Sequence, residues 1–480
     1  MNRMLLRARK AILFLACLAL LLGLVSCGGG GTGEGGEASS TPSGDSATPT
    51  GGSATPGGTV EITMWHSEVA ANLDSLQKLV RRFNSSQSEV RVKLAYQGTD
   101  DEEMTKLVAS LRGGELPNIA NLAELHTQRL IDSGTIAPVQ DFVDEEEYDL
   151  SDLDKKAVDY YTLDGRLWAM PFATVVPMLI YNKVTFREVG LDPEKPPKDL
   201  EELRQVSEKM LQRDTHGNVT RSGIALDIST SWYFDGILDE HGDLYANNEN
   251  GRAGRATEVL FNGSTGQAFF QWWHDMVKDG LATNVGLNPG GADALLAMAA
   301  GRAGMCFAGS SVLRSVVDAL ASGLQGTEVE LGAANMPGVP GGSGLPGLFG
   351  RGLWMFKSHP KEEQGAAWKF IKWLVEPEQQ AEWYAGSGWV PVNVKAQEQP
   401  AAKEVEAKYP QFKVAVDLYQ AAPSTPASLG PLLGPLIDVR QIVARAIEEM
   451  LVSDKDPIAA INDAAKEAND LIQEYNERVQ

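Results

Sequence analysis

From Val60 the apolar residues alternate with polar ones (Val60, Ile62, Met64), the period of a strand with one buried face. Val69, Leu73, Leu76, Val80 and Phe83 follow at spacings of four, three, four and three, the stripe of an amphipathic helix. Val90, Val92, Leu94 and Tyr96 then alternate again. Strand, helix and strand in so short a stretch predict a βαβ unit, hence a parallel pair joined by a crossover helix. Asp199-Leu-Glu-Glu202 reads as a capping box heading a helix whose Leu203, Val206 and Met210 turn inward. Further apolar stripes predict helices over 264–279, 361–375, 436–452 and 457–476, and no internal repeat is present. The pattern predicts an α/β body from residue 59, and its length predicts two lobes.

Ahead of that body the pattern changes twice. Residues 1–10 carry Arg3, Arg7, Arg9 and Lys10 and no acid, and residues 11–26 are uncharged and mostly apolar. Sixteen residues fall short of the roughly 20 that span a membrane and suit the apolar core of a secretory signal. The run ends in Leu24-Val25-Ser26-Cys27, which resembles a bacterial lipoprotein signal: cleavage before Cys27 and diacylation of its sulfur. Residues 28–58 are almost wholly Gly, Ser, Thr, Pro and Ala, too poor in apolar surface to offset their ordering entropy. The expectation is a signal over 1–26 and a tether over 27–58 that holds the body at the extracellular face of the cell membrane.

Composition removes several functions. With 42 basic against 64 acidic residues the net charge is −22, which repels nucleic acid and anionic lipid headgroups. Cys17, Cys27 and Cys306 form neither a CxxC nor a disulfide framework. There is no HExxH, GxSxG or Walker motif, and the histidines (66, 126, 216, 241, 274, 359) include no i,i+4 pair. One GxGxxG match, starting at Gly28, lies in the tether; the other, Gly342-Gly344-Gly347, opens no helix. The acid-rich segment 141–154 lacks the glycine and alternation of a calcium loop and reads as a solvated face. No metal, cofactor or catalysis is expected. A carboxylate pair spaced for glycoside hydrolysis carries no weight among so many acids.

Aromatic placement is more informative. Trp272, Trp273, Trp368 and Trp373 fall on helical stripes and read as core. Trp232-Tyr233, Trp354 and Trp389 lie in short segments flanked by Gly, Ser, Asp or Pro. Aromatics in such loops suit sugar recognition, the ring face stacking on sugar C–H groups while carboxylates bind hydroxyls. Packing between lobes is the alternative.

Ordered motifs then accumulate: Trp65-His66-Ser67 after the first strand, Phe83-Asn84, Leu116-Pro117-Asn118-Ile119, Pro171-Phe172, Pro177 to Lys183 (PMLIYNK), and Gly190-Leu191-Asp192-Pro193 with Pro196-Pro197. Near the end come Phe349 to Trp354 (FGRGLW) and Gly388 to Val392 (GWVPV). Together, over about residues 59–475, they resemble an extracellular solute-binding protein of an ABC importer. The resemblance is to the carbohydrate-type family of maltose- and glycerol-3-phosphate-binding proteins, the latter branch most of all. It implies a two-lobed periplasmic-binding-protein-like α/β fold (type II), with hinge crossings near 172–175, 305–310 and 352–358. The N-terminal lobe would hold 59–172 and 306–357, and the C-terminal lobe 173–305 and 358–480. It also implies a monomer that closes on a small ligand and docks on a permease powered by a separate ATPase.

Carried over by resemblance, the cleft carboxylate falls on Glu124, the close-approach glycine on Gly350, the serine loop on Ser310, and the aromatics on Trp389 and Trp232 beside Tyr233. An early cleft tyrosine falls on Asp100 and a serine on Val175 beside Thr174. The arginine that would pair with phosphate falls on Leu432, in a stretch with no basic residue between Lys413 and Arg440. Loss of that arginine and gain of Asp100 favour a neutral di- or oligosaccharide. Arg351, beside Gly350, is a possible anion partner but is expected at a surface or hinge. A glycerol-3-phosphate or glycerophosphodiester receptor is the alternative within the class. Outside it stand a surface glycosidase using Glu124 and Asp100, and an adhesion or sensor domain.

Overall fold

Strands Val60–His66 and Val90–Tyr96 pair in parallel with Val60 opposite Val90, and helix Ala70–Ser86 connects them. Val69 caps that helix from extended backbone and stays exposed, so the buried stripe runs instead through Leu76, Leu79, Val80 and Phe83. The computed structural model describes residues 58–111, 113–228, 232–286, 292–322 and 328–479. The predicted signal, Cys27 and all but the last residue of the tether lie outside these residues.

Two mixed sheets result. The first runs Val390–Pro391, Met170–Val175, Phe349–Phe356, Ile119–Ala123, Val60–His66, Val90–Tyr96, with Ile136–Ala137 also paired to Phe349–Phe356. The second runs Ala282–Asn284, Val219–Leu226, Ala303–Gly309, Pro177–Asn182, Leu331–Asn335, with Gln212–Arg213 against Val219–Leu226. The chain leaves the first sheet at Val175 and enters the second at Pro177, with only the wholly buried Val176 between. Beyond that link the side chains obey strand parity: Met178 and Ile180 face one core, Leu179 and Tyr181 the other.

The expected lobe boundaries need correction. Strands Ala303–Gly309 and Leu331–Asn335 belong to the second sheet, because both flank Pro177–Asn182 in antiparallel ladders. Helices Lys361–Leu374 and Pro377–Ser387 serve the first lobe: Phe370 meets Phe83 at 4.8 Å between ring centres, and Trp383 meets Phe172 at 5.2 Å. Helix Pro400–Lys408 packs on Pro377–Ser387, whereas Gln411–Ala421 touches both lobes: its Phe412 ring lies edge-on to Tyr384, and Gln411 donates to the Leu331 carbonyl of the second sheet. Leu436–Ser453 and Pro457–Val479 pack on the second lobe, with Ser264–Lys278. The crossings therefore lie at Val176, around Ser310–Val312 with a return before Leu331, across 336–348, and across 422–435; none lies at 352–358.

Two local expectations also change. Asp199 accepts the Glu202 N–H at 2.8 Å, but the Glu202 carboxylate takes the Lys198 N–H, so the reciprocal arm shifts by one residue. Trp354 sits wholly buried in a central strand, edge-on to Tyr161, and is core rather than a loop aromatic. Cys306 is buried in strand Ala303–Gly309, where burial pushes its thiol pKa up.

Helix Leu200–Met210 packs so closely on strand Val219–Leu226 that a Cβ at Gly223 would overlap the backbone of Ser207. Gly223→Ala is expected to lower the unfolding free energy by about 1–3 kcal/mol, since neither backbone can yield without moving a whole element. Urea unfolding followed by circular dichroism measures this; an unchanged midpoint would contradict the packing.

Candidate functional site

In open α/β sheets, residues that follow the carboxyl ends of parallel strands gather along one edge, where ligands bind. Here Ser67 and Glu68 follow Val60–His66, Asp100 follows Val90–Tyr96, and Glu124 follows Ile119–Ala123. Strand Phe349–Phe356 enters at the same edge, with Arg351 opposite Ala123 and Gly350 opposite Thr174. The second sheet brings its own edge up across Val176: Ser310 ends Ala303–Gly309, and Trp232 opens helix Trp232–His241.

Arg351 is the hub of a first cluster. Its Nη2 donates to Asp100 Oδ1 at 2.5 Å and to Ser67 Oγ at 3.0 Å, and Nη1 donates to the Asn121 carbonyl at 2.9 Å. Its Nε lies 3.3 Å from Glu68 Oε1, and the guanidinium sits 5.6 Å from the centre of the Trp389 ring. Arg351 is thus not a surface residue: it lies opposite Ala173, close to the Val176 link, and the sheet edge encloses it among carboxylates. Loss of hydration would raise the Asp100 carboxyl, but Arg351 and the hydrogen bond from Ser67 outweigh it and hold the group below its usual range. The Asp100 side chain keeps 40% of its surface exposed, so solvent screens this pair. Burial wins at Glu68, which is pushed up, and at Glu103, pushed to about 8.

Glu124 belongs to a second cluster. Its Oε2 accepts the Gly350 N–H at 3.1 Å, and its Oε1 lies 3.3 Å from Arg440 Nη2. Arg440, from the second-lobe helix Leu436–Ser453, also binds Asp235 Oδ2 at 2.9 Å through Nε. Burial pushes the Asp235 carboxyl up to about 6 against the pull of Arg440. Leu432, where the resemblance put the missing arginine, is buried, and its N–H bonds the Asn250 carbonyl. The guanidinium that does reach this region comes from Arg440, eight residues further on in helix Leu436–Ser453, so the second lobe is not short of a cation.

The other expected residues divide. Trp389 is 7% exposed, with its indole N–H unpartnered. Trp232 is the first residue of a helix rather than part of a loop, and its ring lies 5.0 Å from Phe349 across the lobes. Tyr233 turns into the second core, edge-on to Phe307. Ser310 is buried and ties the crossing: its hydroxyl accepts the Val176 N–H at 3.2 Å and its N–H donates to the Val176 carbonyl at 2.9 Å. The Thr174 hydroxyl donates to the Val390 carbonyl at 3.3 Å. Glu124, Asp100, Gly350, Arg351, Trp389 and Trp232 therefore come together at the facing edges, while Thr174, Ser310 and Tyr233 are spent on backbone and core. Sequence reasoning missed Ser67, Glu68, Glu103, Asp235 and Arg440. The strand-end rule points to the first two. Nothing local marks Arg440.

Among the described residues no His/Cys/Asp/Glu group is arranged to hold a metal ion, and no helix is long and apolar enough to cross a membrane. A cavity of about 390 Å³ beside Phe83, Tyr148 and Trp373 opens on the outside of the first lobe and includes none of the candidate residues.

A family profile described as bacterial extracellular solute-binding protein matches residues 78–413. This chain belongs to that family. Among relatives of this solute-binding protein is the sn-glycerol-3-phosphate-binding periplasmic protein UgpB of Yersinia pestis, 27% identical over 430 residues, covering 87% of this chain and 93% of that one. Of solved structures, UgpB from Mycobacterium tuberculosis in complex with glycerophosphocholine superposes with a TM-score of 0.72 at 20% identity, over 87% of this chain and 100% of the other. The cyclic alpha-maltosyl-1,6-maltose binding protein of Arthrobacter globiformis does so with 0.67 at 24% identity, over 87% and 100%. At such identities the structural likeness fixes the two-lobed fold and no more.

The solute-binding protein should lose stability on the alkaline side of neutrality. Burial raises Glu103 and Glu240 from 4.5 to about 8, and lowers His66 to about 4 and His126 to about 3. At pH 6.5 each of these histidines holds about half a proton in the unfolded chain and none in the folded one, less than the protons the two buried carboxyls keep, and that difference vanishes as pH rises. Between pH 6.5 and 8 the folded state therefore keeps carboxyl protons that the unfolded state has lost, and stability falls as pH rises. Thermal midpoints taken from pH 6.5 to 8.5 should decline, and Glu103→Gln should flatten the decline. A rising midpoint would contradict the burial.

Proposed function

We propose that this protein is the substrate-binding subunit of an ABC importer and captures a hydroxyl-rich di- or oligosaccharide rather than a phosphate ester. One observation carries the choice of ligand: both cleft-edge guanidiniums are already bound by carboxylates, Arg351 by Asp100 and Glu68, Arg440 by Asp235 and Glu124. A phosphate needs an arginine fork that is free to bind it, and here it would meet carboxylates first. Sugar hydroxyls donate to carboxylates, and the unpartnered indole N–H of Trp389 can donate to a ring oxygen. Ligand-contacting roles follow for Glu124, Asp100, Gly350, Arg351, Trp389 and Trp232. A sugar touching residues of both lobes binds the closed form more tightly and shifts the population toward it. The closed form then presents its surface to the permease, and no covalent step is required of this chain. Glu124 and Asp100, the pair a glycosidase would need, are tied to arginines and backbone instead.

A phosphodiester is the second reading, favoured by the relatives named UgpB and by Arg252. Its Nη2 donates to the Leu429 carbonyl at 2.9 Å and its Nη1 to the Tyr160 carbonyl at 3.3 Å. It makes no ion pair with a carboxylate among the described residues, and its Nε has no partner.

A thermal-shift panel separates the two, using neutral di- and oligosaccharides beside glycerol-3-phosphate and glycerophosphocholine. A ligand at a hundred times its Kd adds about 2.7 kcal/mol. A response to sugars that Trp389→Ala weakens by about 1–3 kcal/mol in calorimetry supports the proposal. A response to phosphodiesters that Arg252→Ala removes would replace it. We also propose attachment to the outer face of the membrane through lipid on Cys27. Cys27→Ser should move the protein from the membrane fraction to the medium with ligand binding intact, and retention in the membrane would refute that anchor.

A further inference from the structure

Helix Trp232–His241 sets Trp232, Asp235 and Asp239 at i, i+3 and i+7, one face of the helix. That face looks toward the junction of the lobes. The Trp232 ring meets Phe349, Asp235 receives Arg440, and Asp239 lies so close to Gly347 that a Cβ there would overlap its carboxylate. Asp239 is 4% exposed, and neither of its carboxylate oxygens has a hydrogen-bond partner; nor has Asp235 Oδ1.

A separate observation comes from a different element. The Tyr245 hydroxyl, on the segment after the helix, is fully buried without a partner and interacts electrostatically with Asp235 and Arg440. Acids outnumber guanidiniums in the group. Glu124, Asp235 and Asp239 face the guanidiniums of Arg440 and, less directly, Arg252, whose hydrogen bonds go to carbonyls. Neighbouring Glu240 is turned aside to Asn335 at 2.8 Å. Asp239 has no guanidinium of its own, and burial next to Asp235 holds its carboxyl well above the ordinary carboxylate range; three carboxyl oxygens of the pair lack hydrogen-bond partners, and a cation there would favour the ionised form.

Buried acceptors without donors are costly and uncommon in native proteins. A sugar hydroxyl brings one donor and no charge, and a phosphate would bring a further anion among acids that already outnumber the guanidiniums. A primary ammonium brings three N–H donors and one positive charge, and the face of Trp232 beside it suits a cation or a sugar ring. We infer that the captured sugar is an amino sugar, its ammonium received by Asp235 and Asp239 at the second-lobe side of the cleft. This rests on the sugar-capture reading above and names the class of sugar.

The test uses the intact chain and sugars matched except for charge: glucosamine oligosaccharides, their N-acetylated counterparts, and glucose oligosaccharides of equal length. Calorimetry should give the amine about tenfold tighter binding than its N-acetylated partner. Asp239→Asn and Asp235→Asn, near-isosteric and each checked for a cooperative melt, should bring the affinity for the amine down to that for the N-acetylated sugar in the same variant. Tyr245→Phe should reduce it without changing charge. Equal or better binding of uncharged sugars, silence from the amines, or a preference that survives both Asn variants would overturn the inference. Binding of uncharged sugars alone would leave the sugar-import reading standing, whereas phosphodiester binding with no response to any sugar would remove both.

Discussion

The geometry depends on one short link. Strand Met170–Val175 ends the first sheet's run and Pro177–Asn182 begins the second's, with Val176 alone between them. A single residue cannot reach across a domain, so the two edges must come face to face. The strand-end residues Glu68, Asp100 and Glu124 are thereby brought opposite Ser310 and the start of helix Trp232–His241. Ser310 strengthens the link by bonding both the N–H and the carbonyl of Val176. Separate crossings at 336–348 and 422–435 leave the lobes parallel connections, the plan of a hinge rather than of a flexible linker.

Charge is handled at that junction by enclosure. Each arginine is held by carboxylates of two different elements: Arg351 by Glu68 and Asp100 within the first lobe, Arg440 by Glu124 and Asp235 across the lobes. Buried pairs of this kind contribute little net stability, because desolvation offsets much of the attraction. Their effect is directional. They hold Gly350, Trp389 and Trp232 in fixed relation and leave specific donors and acceptors unmet.

Much of the fold was legible along the chain because its signals are local. The alternation at 60–64 and 90–96, the stripe through Phe83 and the four long helices all appear within three residues of their predicted places. The lobe assignment of 303–335 and 361–408 was not legible, since which sheet a strand joins, and which sheet a helix then covers, is decided by partners far away in sequence. The site shows the same division. Glu124, Gly350 and Trp389 stand where ordered motifs placed them. Arg351 lay in a glycine-rich segment that reads as surface, and only the packing of Trp389 and Glu68 around it shows otherwise. Arg440 lay on an apolar helix with no local mark of its long reach to Glu124.

The parity of Pro177–Asn182 has a consequence for how such a chain can diverge. Leu179 and Tyr181 fill one core while Met178 and Ile180 fill the other. Inserting or deleting one residue at Val176 would exchange the two sets, sending each side chain into the opposite core and breaking two ladders together. Descendants of this gene can replace side chains along the junction one at a time, and can lengthen the surface loops. The number of residues between Thr174 and Met178 is one that drift cannot change in single steps.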